Sequence, residues 1–262
     1  MNIVFYGGGN IAQAVAKGFM LSSLATDNIF YIDRNKKNKD KLKKLKIKNL
    51  KNESTVHVDI FILAVKPKDA INAYKDILDN YKSPKVISFV AGIKTKRYLK
   101  INKNIELLRA MPNTSSEFGL GITGVYNATF EKNNYLEIID LFERIGEVVE
   151  LKKESHMDTF TGMIGSGPAY FFYLLKAYEK KLMVICDHDQ KKVNSIILNL
   201  MWGVGLSISK DDNLNDLIAS VASKKGTTEA GLKSFKSGNL NKVFEKGLIA
   251  AIKRSKESSN EF

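Results

Sequence analysis

A short apolar run near the start of the chain ends abruptly at three glycines. Residues 3–6 are β-branched or aromatic, and apolar residues recur at helical spacing after the glycines. This order predicts a strand, a tight turn and a helix. Gly7, Gly9 and Ala12 match the fingerprint of dinucleotide-binding turns. In that fingerprint the first glycine makes the turn, the second lets a pyrophosphate approach the backbone, and a small third residue lets the helix pack closely on the strand.

The free N–H groups at the start of this helix would face the pyrophosphate. The fingerprint alone is weak, because glycine-rich turns also occur in other α/β proteins. Here it lies in the required strand-turn-helix context, and an acidic residue closes the next apolar run, so the sequence favours dinucleotide binding. The contacts predicted at this turn are Gly7, Gly8, Gly9, Asn10, Ile11 and Ala12.

The second apolar run, residues 29–32, ends at Asp33. An acid at this position commonly accepts hydrogen bonds from the ribose of NAD, whereas the neighbouring Arg34, Lys36 and Lys37 suit the additional phosphate of NADP. Asp33 is also an ordinary residue for the end of a strand. The sequence therefore predicts Asp33 and Arg34 as cofactor contacts and leaves the choice between NADH and NADPH open.

Further apolar runs alternate with helical patterns as far as about residue 152. The run at residues 59–65 is apolar without alternation after its first residue, Asp59, as in a strand covered on both faces. Pro67 suits the first turn of a helix that runs to about Tyr81. Strands that alternate with helices predict a doubly wound, Rossmann-type, mostly parallel sheet whose ligand lies at the carboxyl ends of the strands. The cofactor contacts expected at those ends are Ala64, Val65, Lys66, Pro67 and Ala91. Other strands are predicted at 86–90, 105–111, 120–126 and 147–151, with helices at 39–46 and 130–145.

Beyond residue 152 the strand signals disappear, and the rest of the chain is predicted to be helical. We expect a dinucleotide-binding domain at 1–152 and an all-helical substrate-binding and dimerisation domain at 153–262. Residues 165–168, Gly-Ser-Gly-Pro, are predicted to open the first long helix. Residues 170–178 and 196–208 are apolar around most of the helix, so a second copy of the chain is expected to cover them. This predicts a homodimer or a larger homo-oligomer built from dimers.

The 262 residues carry a formal net charge of +13. The basic residues lie largely in surface-type stretches such as 35–51, without stacking aromatics or a binding motif. We therefore predict no nucleic-acid partner, but an attraction for anionic ligands. Residues 196–208 fall short of the roughly 20 apolar residues needed to cross a bilayer, and no signal peptide is recognised, so a cytoplasmic protein without a membrane partner is expected. Residues 186–189, Cys-Asp-His-Asp, lack metal-ligand spacing, so no metal is expected.

The last informative stretch is residues 217–232. Ser223 and the sequence Gly226-Thr227-Thr228 precede or open a helix, so that N–H groups and hydroxyls converge at its positive end. That arrangement suits a small carboxylate. Without the first domain, a well-capped helix with nothing bound would be the better interpretation.

Five blocks of the sequence resemble pyrroline-5-carboxylate reductase, in the same order along the chain. Two of them, residues 165–170 and 223–232, are the specific ones, because the others also occur loosely in further dinucleotide enzymes. The resemblance implies reduction of 1-pyrroline-5-carboxylate to L-proline with NADPH or NADH, the last step of proline biosynthesis. It also implies a helical domain that interlocks with a partner subunit. The remaining blocks are residues 7–12, 64–67 and 109–114.

The family's functional residues can be placed one by one on this sequence. The resemblance implies that Ser223, Gly226, Thr227 and Thr228 hold the substrate carboxylate, largely through backbone amides. Thr228 matches the hydroxyl residue near the ring nitrogen and is the predicted catalytic residue, which orients or relays the proton to nitrogen. Two looser matches are Asn52, at the adenosine end of the cofactor, and Asp211, for an acid that meets the ring nitrogen from the other subunit.

The chain departs from the family at one point. The family usually reads Ser-Pro-Gly-Gly-Thr-Thr, whereas this sequence has Lys224 and Lys225 in place of the proline and first glycine. If that glycine needs a positive φ, Lys225 is strained there by about 1 kcal/mol. The departure then concerns substrate affinity more than the fold, and the two lysines could instead help to attract the carboxylate.

Three other interpretations stay open. The β-hydroxyacid dehydrogenases share the two-domain plan, but they would carry a lysine shortly after the glycine turn of the long helix, where this chain has the aromatic residues 170–173. A reductase of another small imine is the second alternative, because pocket size cannot be read from sequence. The third is a non-catalytic dinucleotide-binding sensor, which the lysine at position 225 keeps open.

Overall fold

A computed structural model describes residues 1–22, 28–52, 56–209 and 213–261, without the side chains of Asn52, Asn260 and Glu261. The chain divides into two compact units. Unit 1 consists of residues 1–168 together with 250–262, and unit 2 of residues 169–249. The domain boundary expected at residues 152–153 from the sequence stays a prediction.

Unit 1 is built on one eight-stranded sheet with the strand order β3-β2-β1-β4-β5-β6-β7-β8. The pairs are parallel except for β6 and β7, which run antiparallel. At the centre of the sheet, Ile3 of β1 pairs with Ile29 of β2 on one side and with Ile60 of β4 on the other. The strands are β1 (Ile3–Tyr6), β2 (Ile29–Ile32), β3 (Lys48–Asn49), β4 (Ile60–Leu63), β5 (Lys85–Ser88), β6 (Leu107–Pro112), β7 (Gly121–Asn127) and β8 (Gly146–Glu150).

Helices cover both faces of this sheet, because the side chains of each strand alternate between two cores. Phe5 packs in one core with Phe19 and Phe142, whereas Val4 packs in the other with Tyr74 and Tyr98. The structure thus confirms the doubly wound, mostly parallel fold. The helices of unit 1 are α1 (Asn10–Leu21), α2 (Lys36–Lys44), α3 (Pro67–Asn80), α4 (Thr95–Leu99), α5 (Lys132–Glu143) and α6 (His156–Phe160).

The first long helix begins at Gly167, within the Gly-Ser-Gly-Pro sequence that was predicted to open it. The helical structure ahead of it was not predicted: it starts at His156 and passes through a π-helical turn at Thr161–Gly165. In that turn a side chain at Gly162 would lie 2.8 Å from Ile252, so the glycine permits close packing against the end of the chain. The five-residue helix α4 and the two-residue strand β3 were not predicted, because elements this short carry no hydrophobic period.

Unit 2 contains helices only among its described residues. These are the main part of α7 (Gly167–Ile185), α8 (Gln190–Ile208), α9 (Leu214–Val221), α10 (Thr227–Ser237) and the first half of α11 (Leu240–Glu261). Asp189 and Asn213 cap α8 and α9 through their side chains. In the part of the chain that was searched, none of the helices is sufficiently long and apolar to cross a membrane.

Candidate active site

The glycine turn after β1 has the geometry that its sequence predicts. Gly7 adopts φ 103°, and a Cβ there would lie 2.6 Å from the Ala64 carbonyl oxygen, so this position requires glycine. Around Gly9, by contrast, a Cβ would meet no heavy atom within 4 Å. Ala12 is fully buried. The turn therefore combines a tight bend, open space beside the backbone and a small residue at the contact between helix and sheet.

The start of α1 carries no negative group of its own. Its N-cap is Gly9, which has no side chain to cap the helix, and its first turn contains no acidic residue. The N–H groups of the first turn, which include those of Asn10 and Ile11, have no intrahelical acceptors, and the helix dipole makes this end positive. Together with the open space at Gly9, these features fit a dinucleotide pyrophosphate.

Asp33 is tied to the glycine turn by hydrogen bonds. Its Oδ2 accepts from the Gly8 N–H at 2.6 Å and from Asn38 Nδ2 at 2.9 Å, and its Oδ1 accepts from the Asn35 N–H at 2.5 Å. The carboxylate therefore braces the turn against the start of α2. Sequence reasoning missed this role, because it depends on two loops that meet in space. A contact between Asp33 and a ribose stays a prediction.

Next to Asp33, Arg34 projects into solvent. Its side chain is 83% exposed and pairs with Asp69, in the first turn of α3, through a single 2.7 Å contact of Nη2. Lys36 and Lys37 are also exposed. This group of cations at the end of β2 has donors available for a phosphate.

Two more strand ends lie at the same edge of the sheet. Ala64 follows β4 and donates its N–H to the Tyr6 carbonyl oxygen at 2.8 Å, and Val65 lies against Gly7. Pro67 occupies the first turn of α3, whose N-cap is Lys66. Ala91 and Gly92 follow β5, and the backbone of Ser258 packs directly against Gly92. Asn52 ends a short 3-10 turn at Leu50–Asn52.

A buried polar cluster behind this edge was not predicted. Arg109 of β6 is 3% exposed and pairs with Glu154 at 2.9 Å, while Glu154 also accepts from the N–H and hydroxyl of Thr95 at 2.7 and 2.9 Å. Beside it, Tyr98 and Ser88 share a hydrogen bond of 3.1 Å, and burial raises the pKa of Tyr98 to about 12. Arg109 and Glu154 thus connect the sheet to the segment before α6.

The stretch predicted to hold the substrate forms a turn and a helix start in unit 2. Gly226 is the N-cap of α10, and its N–H donates to the Ser223 carbonyl at 3.0 Å. Thr227 and Thr228 open the helix and are exposed in the single chain. Lys225 has φ 59°, the positive value expected where a glycine is replaced, and its N–H donates to Glu229. Asp211 lies outside the described residues.

Comparison with known proteins decides the family. A family model described as pyrroline-5-carboxylate reductase dimerisation matches residues 154–258, and one described as NADP oxidoreductase, coenzyme F420-dependent, matches residues 2–92. The pyrroline-5-carboxylate reductase of Staphylococcus epidermidis is 31% identical over 99% of this chain and 98% of its own. The chain belongs to the pyrroline-5-carboxylate reductase family. Membership confirms the predicted NAD(P)-dependent oxidoreductase class.

Solved structures of the family agree with the fold. The Plasmodium falciparum pyrroline carboxylate reductase with NADP bound superposes with a TM-score of 0.87 at 23% identity, covering 99% of this chain and 98% of that one. The Coxiella burnetii pyrroline-5-carboxylate reductase gives a TM-score of 0.82 at 27% identity, covering 98% of both chains. Both likenesses extend over nearly the whole chain.

Proposed function

We propose that this protein reduces 1-pyrroline-5-carboxylate to L-proline with NADPH or NADH, as the last step of proline biosynthesis. The observation that carries the proposal is the 31% identity to a pyrroline-5-carboxylate reductase over 99% of this chain. Two local features support it: the glycine turn with open space at Gly9, and the helix start at Gly226 that offers N–H groups to a carboxylate.

The carboxyl edge of the sheet is the proposed cofactor site. The N–H groups at the start of α1 hold the pyrophosphate, and Gly9 leaves room for it. Arg34 binds toward the ribose end, with Lys36 and Lys37 beside it. When bound, the reduced nicotinamide supplies the hydride. Ala64, Val65, Lys66, Pro67 and Ala91 line the rest of the edge, and Asn52 lies toward the adenosine.

The turn before α10 is the proposed substrate site. Ser223 and the backbone N–H groups of Gly226, Thr227 and Thr228 hold the carboxylate at the positive end of the helix. Thr228 orients or relays the proton at the ring nitrogen, with Asp211 as a second polar group there. A protonated C=N bond is already a good electrophile, so positioning and the protonation state are what the protein must supply.

We also propose that the protein works as a homodimer or as a larger oligomer built from dimers. Val193 is the one buried residue among the described residues of unit 2. Large side chains such as Phe172 (68% exposed) and Trp202 (64%) have no cover in the single chain. Phe171, Leu174, Leu240, Phe244 and Leu248 line an apolar groove in this unit. Residues 154–258 match a family model for dimerisation, which supports a second copy of the chain as the partner that buries these side chains. The same match supports a boundary near residue 152 between the cofactor-binding and dimerisation domains.

Steady-state kinetics test the proposed reaction. The purified protein is incubated with NADPH or NADH and 1-pyrroline-5-carboxylate, and both cofactor oxidation and proline formation are measured. We expect equal amounts of cofactor oxidised and proline formed. A six-membered cyclic imine carboxylate with NADPH or NADH, and a β-hydroxyacid with NADP+ or NAD+, serve as comparison substrates. A higher kcat/KM with either of these would contradict the assignment, and cofactor binding without turnover would indicate a sensor.

A further inference from the structure

The turn that leads into α10 has the geometry of a type II turn but lacks the usual residues. The Gly226 N–H closes the turn on the Ser223 carbonyl, and φ is positive at its third residue, Lys225, but not at Lys224. Type II turns favour proline at the second position and need glycine or asparagine at the third, because of the positive φ there. With lysine at both positions, the chemistry of the turn residues does little to hold its shape.

Glu229 supplies what the turn sequence lacks. It lies in the first turn of α10, and its Oε2 accepts a hydrogen bond from the Lys225 N–H. A glutamate at this helix position ordinarily reaches back to the N–H of the N-cap residue. Here the N-cap is Gly226, whose N–H is already used within the turn, so Glu229 reaches the residue before it. The carboxylate thus fixes the left-handed residue directly, at the positive end of the helix.

We propose that Glu229 is a positioning residue for the substrate carboxylate. It holds the Ser223–Gly226 turn in the shape that presents the N–H groups of Thr227 and Thr228 to the substrate, and it does so through the Lys225 backbone. This inference rests on the proposed function of the turn. Because Glu229 acts on the substrate-binding backbone, its loss changes the KM for the imine and leaves kcat and the KM for NADPH nearly unchanged.

The test compares two backgrounds. In the native chain, Glu229→Ala is expected to raise the KM for 1-pyrroline-5-carboxylate about 5- to 10-fold, the effect of losing one helix-capping hydrogen bond. Glu229→Gln keeps an acceptor oxygen and is expected to restore most of the affinity. In a Lys224→Pro/Lys225→Gly background the turn residues themselves favour the type II shape, so Glu229→Ala is expected to change KM by less than about 2-fold.

Two outcomes would overturn the proposal. An equal rise in KM in both backgrounds would mean that Glu229 does not act through the turn, and an unchanged KM in the native background would mean that it holds nothing. Glu143→Ala, which removes an exposed glutamate at the end of α5, is the control. It is expected to leave the KM for the imine and the KM for NADPH unchanged.

A measurement without substrate separates this inference from the proposed function. Hydrogen-deuterium exchange of a peptide spanning residues 222–228 is expected to be faster in Glu229→Ala than in the native chain or in Glu229→Gln. Exchange at the native rate in Glu229→Ala would show that Glu229 does not hold the Ser223–Gly226 turn, whatever substrate the enzyme uses. If the native protein does not reduce the imine but the exchange difference is found, the proposed function fails and the role of Glu229 in the turn stands.

Discussion

Asp33 shows how one carboxylate can serve the architecture of a cofactor site. Both of its carboxylate oxygens accept hydrogen bonds from the protein itself. The donors are the N–H group of Gly8 in the glycine turn, the N–H group of Asn35 and the side-chain amide of Asn38. Because its carboxylate is already hydrogen-bonded to the Gly8 N–H, Asp33 stabilises the glycine turn in the absence of a ligand. Because these bonds use part of its acceptor capacity, we expect Asp33 to contribute less than the adjacent cations to discrimination between NADH and NADPH.

Replacement of Arg34 tests that consequence. Because the guanidinium has donors beyond its one contact with Asp69, Arg34→Ala is expected to raise the KM for NADPH by about 10-fold and to change the KM for NADH by less than about 2-fold. Initial rates with each cofactor at saturating imine measure this. Arg144→Ala is the matched control, because Arg144 is also an exposed arginine paired with one aspartate. An equal effect on both cofactors would contradict a phosphate-binding role.

Thr228 carries the proposed proton step. Thr228→Ala removes the hydroxyl and is expected to lower kcat on the order of 10- to 100-fold, the size expected for the loss of one hydrogen bond to a charged group. Thr228→Ser keeps the hydroxyl and should retain most of the rate. Both variants leave the Thr227 and residue-228 N–H groups in place, so the KM for the imine should change less than kcat. A native rate in Thr228→Ala would remove this residue from the mechanism.

At the scale of elements, the Arg109–Glu154 pair joins β6 to the segment that precedes α6. Glu154→Ala leaves a buried guanidinium without its partner and is expected to cost about 3 kcal/mol of unfolding free energy. Asp140→Ala breaks an exposed pair on α5 and is expected to cost no more than about 0.5 kcal/mol. Thermal unfolding followed by circular dichroism compares the two, and equal losses would show that the buried pair contributes no special stability.

Tyr98, next to this pair, predicts an alkaline effect. Its pKa is raised to about 12 by burial, so between about pH 10 and 12 the unfolded chain loses this proton while the folded chain keeps it. The stability contributed by the neutral phenol is therefore complete below about pH 10 and falls as the pH rises. Tyr98→Phe keeps the ring contact with Tyr74 but has no phenol to ionise.

The comparison of native protein and Tyr98→Phe isolates that effect. Relative to its value at neutral pH, the stability difference between them is expected to move by about 1 kcal/mol in favour of the variant by about pH 11. Denaturant unfolding at a series of pH values measures it. A difference that does not change with pH would contradict a buried neutral tyrosine.

The elements predicted from sequence are those with a long hydrophobic signal. Strands β1, β2 and β4 are continuous apolar runs, the first two of which end at glycine and aspartate, and α3 begins at Pro67 as its sequence indicates. What sequence could not reveal depends on groups brought together from distant positions. The contact of Asp33 with Gly8 spans 25 residues and that of Glu154 with Thr95 spans 59, and neither leaves a local pattern.

At the scale of the whole molecule, the helices of unit 2 expose many large apolar side chains in the single chain. Leu198, Trp202 and Leu206 of α8 are each more than half exposed. We expect light scattering at micromolar concentration to give at least twice the 29.3 kDa mass of one chain, because burial of such a surface strongly favours association. Trp202→Glu is expected to shift the mass toward the monomer, and a monomeric native protein would contradict the assembly.

The substrate site is where sequence reasoning depended most on family resemblance. The positive φ of Lys225 could be anticipated only from the resemblance, because the family usually has glycine at this position. The role of Glu229 needed the structure, because glutamate in a first helical turn is common and its partner is set by which N–H groups the turn leaves free. Carboxylate binding by Thr227 and Thr228, and the cytoplasmic location, stay predictions.

Transfer of an isotope tests the central claim most directly. NADPH carrying deuterium on the transferring face of nicotinamide C4 is supplied with 1-pyrroline-5-carboxylate, and the product is analysed by mass spectrometry. The account predicts proline with one deuterium at C5, the former imine carbon, in amounts equal to the cofactor oxidised. Unlabelled proline, or cofactor oxidation without proline, would contradict direct hydride transfer by this protein.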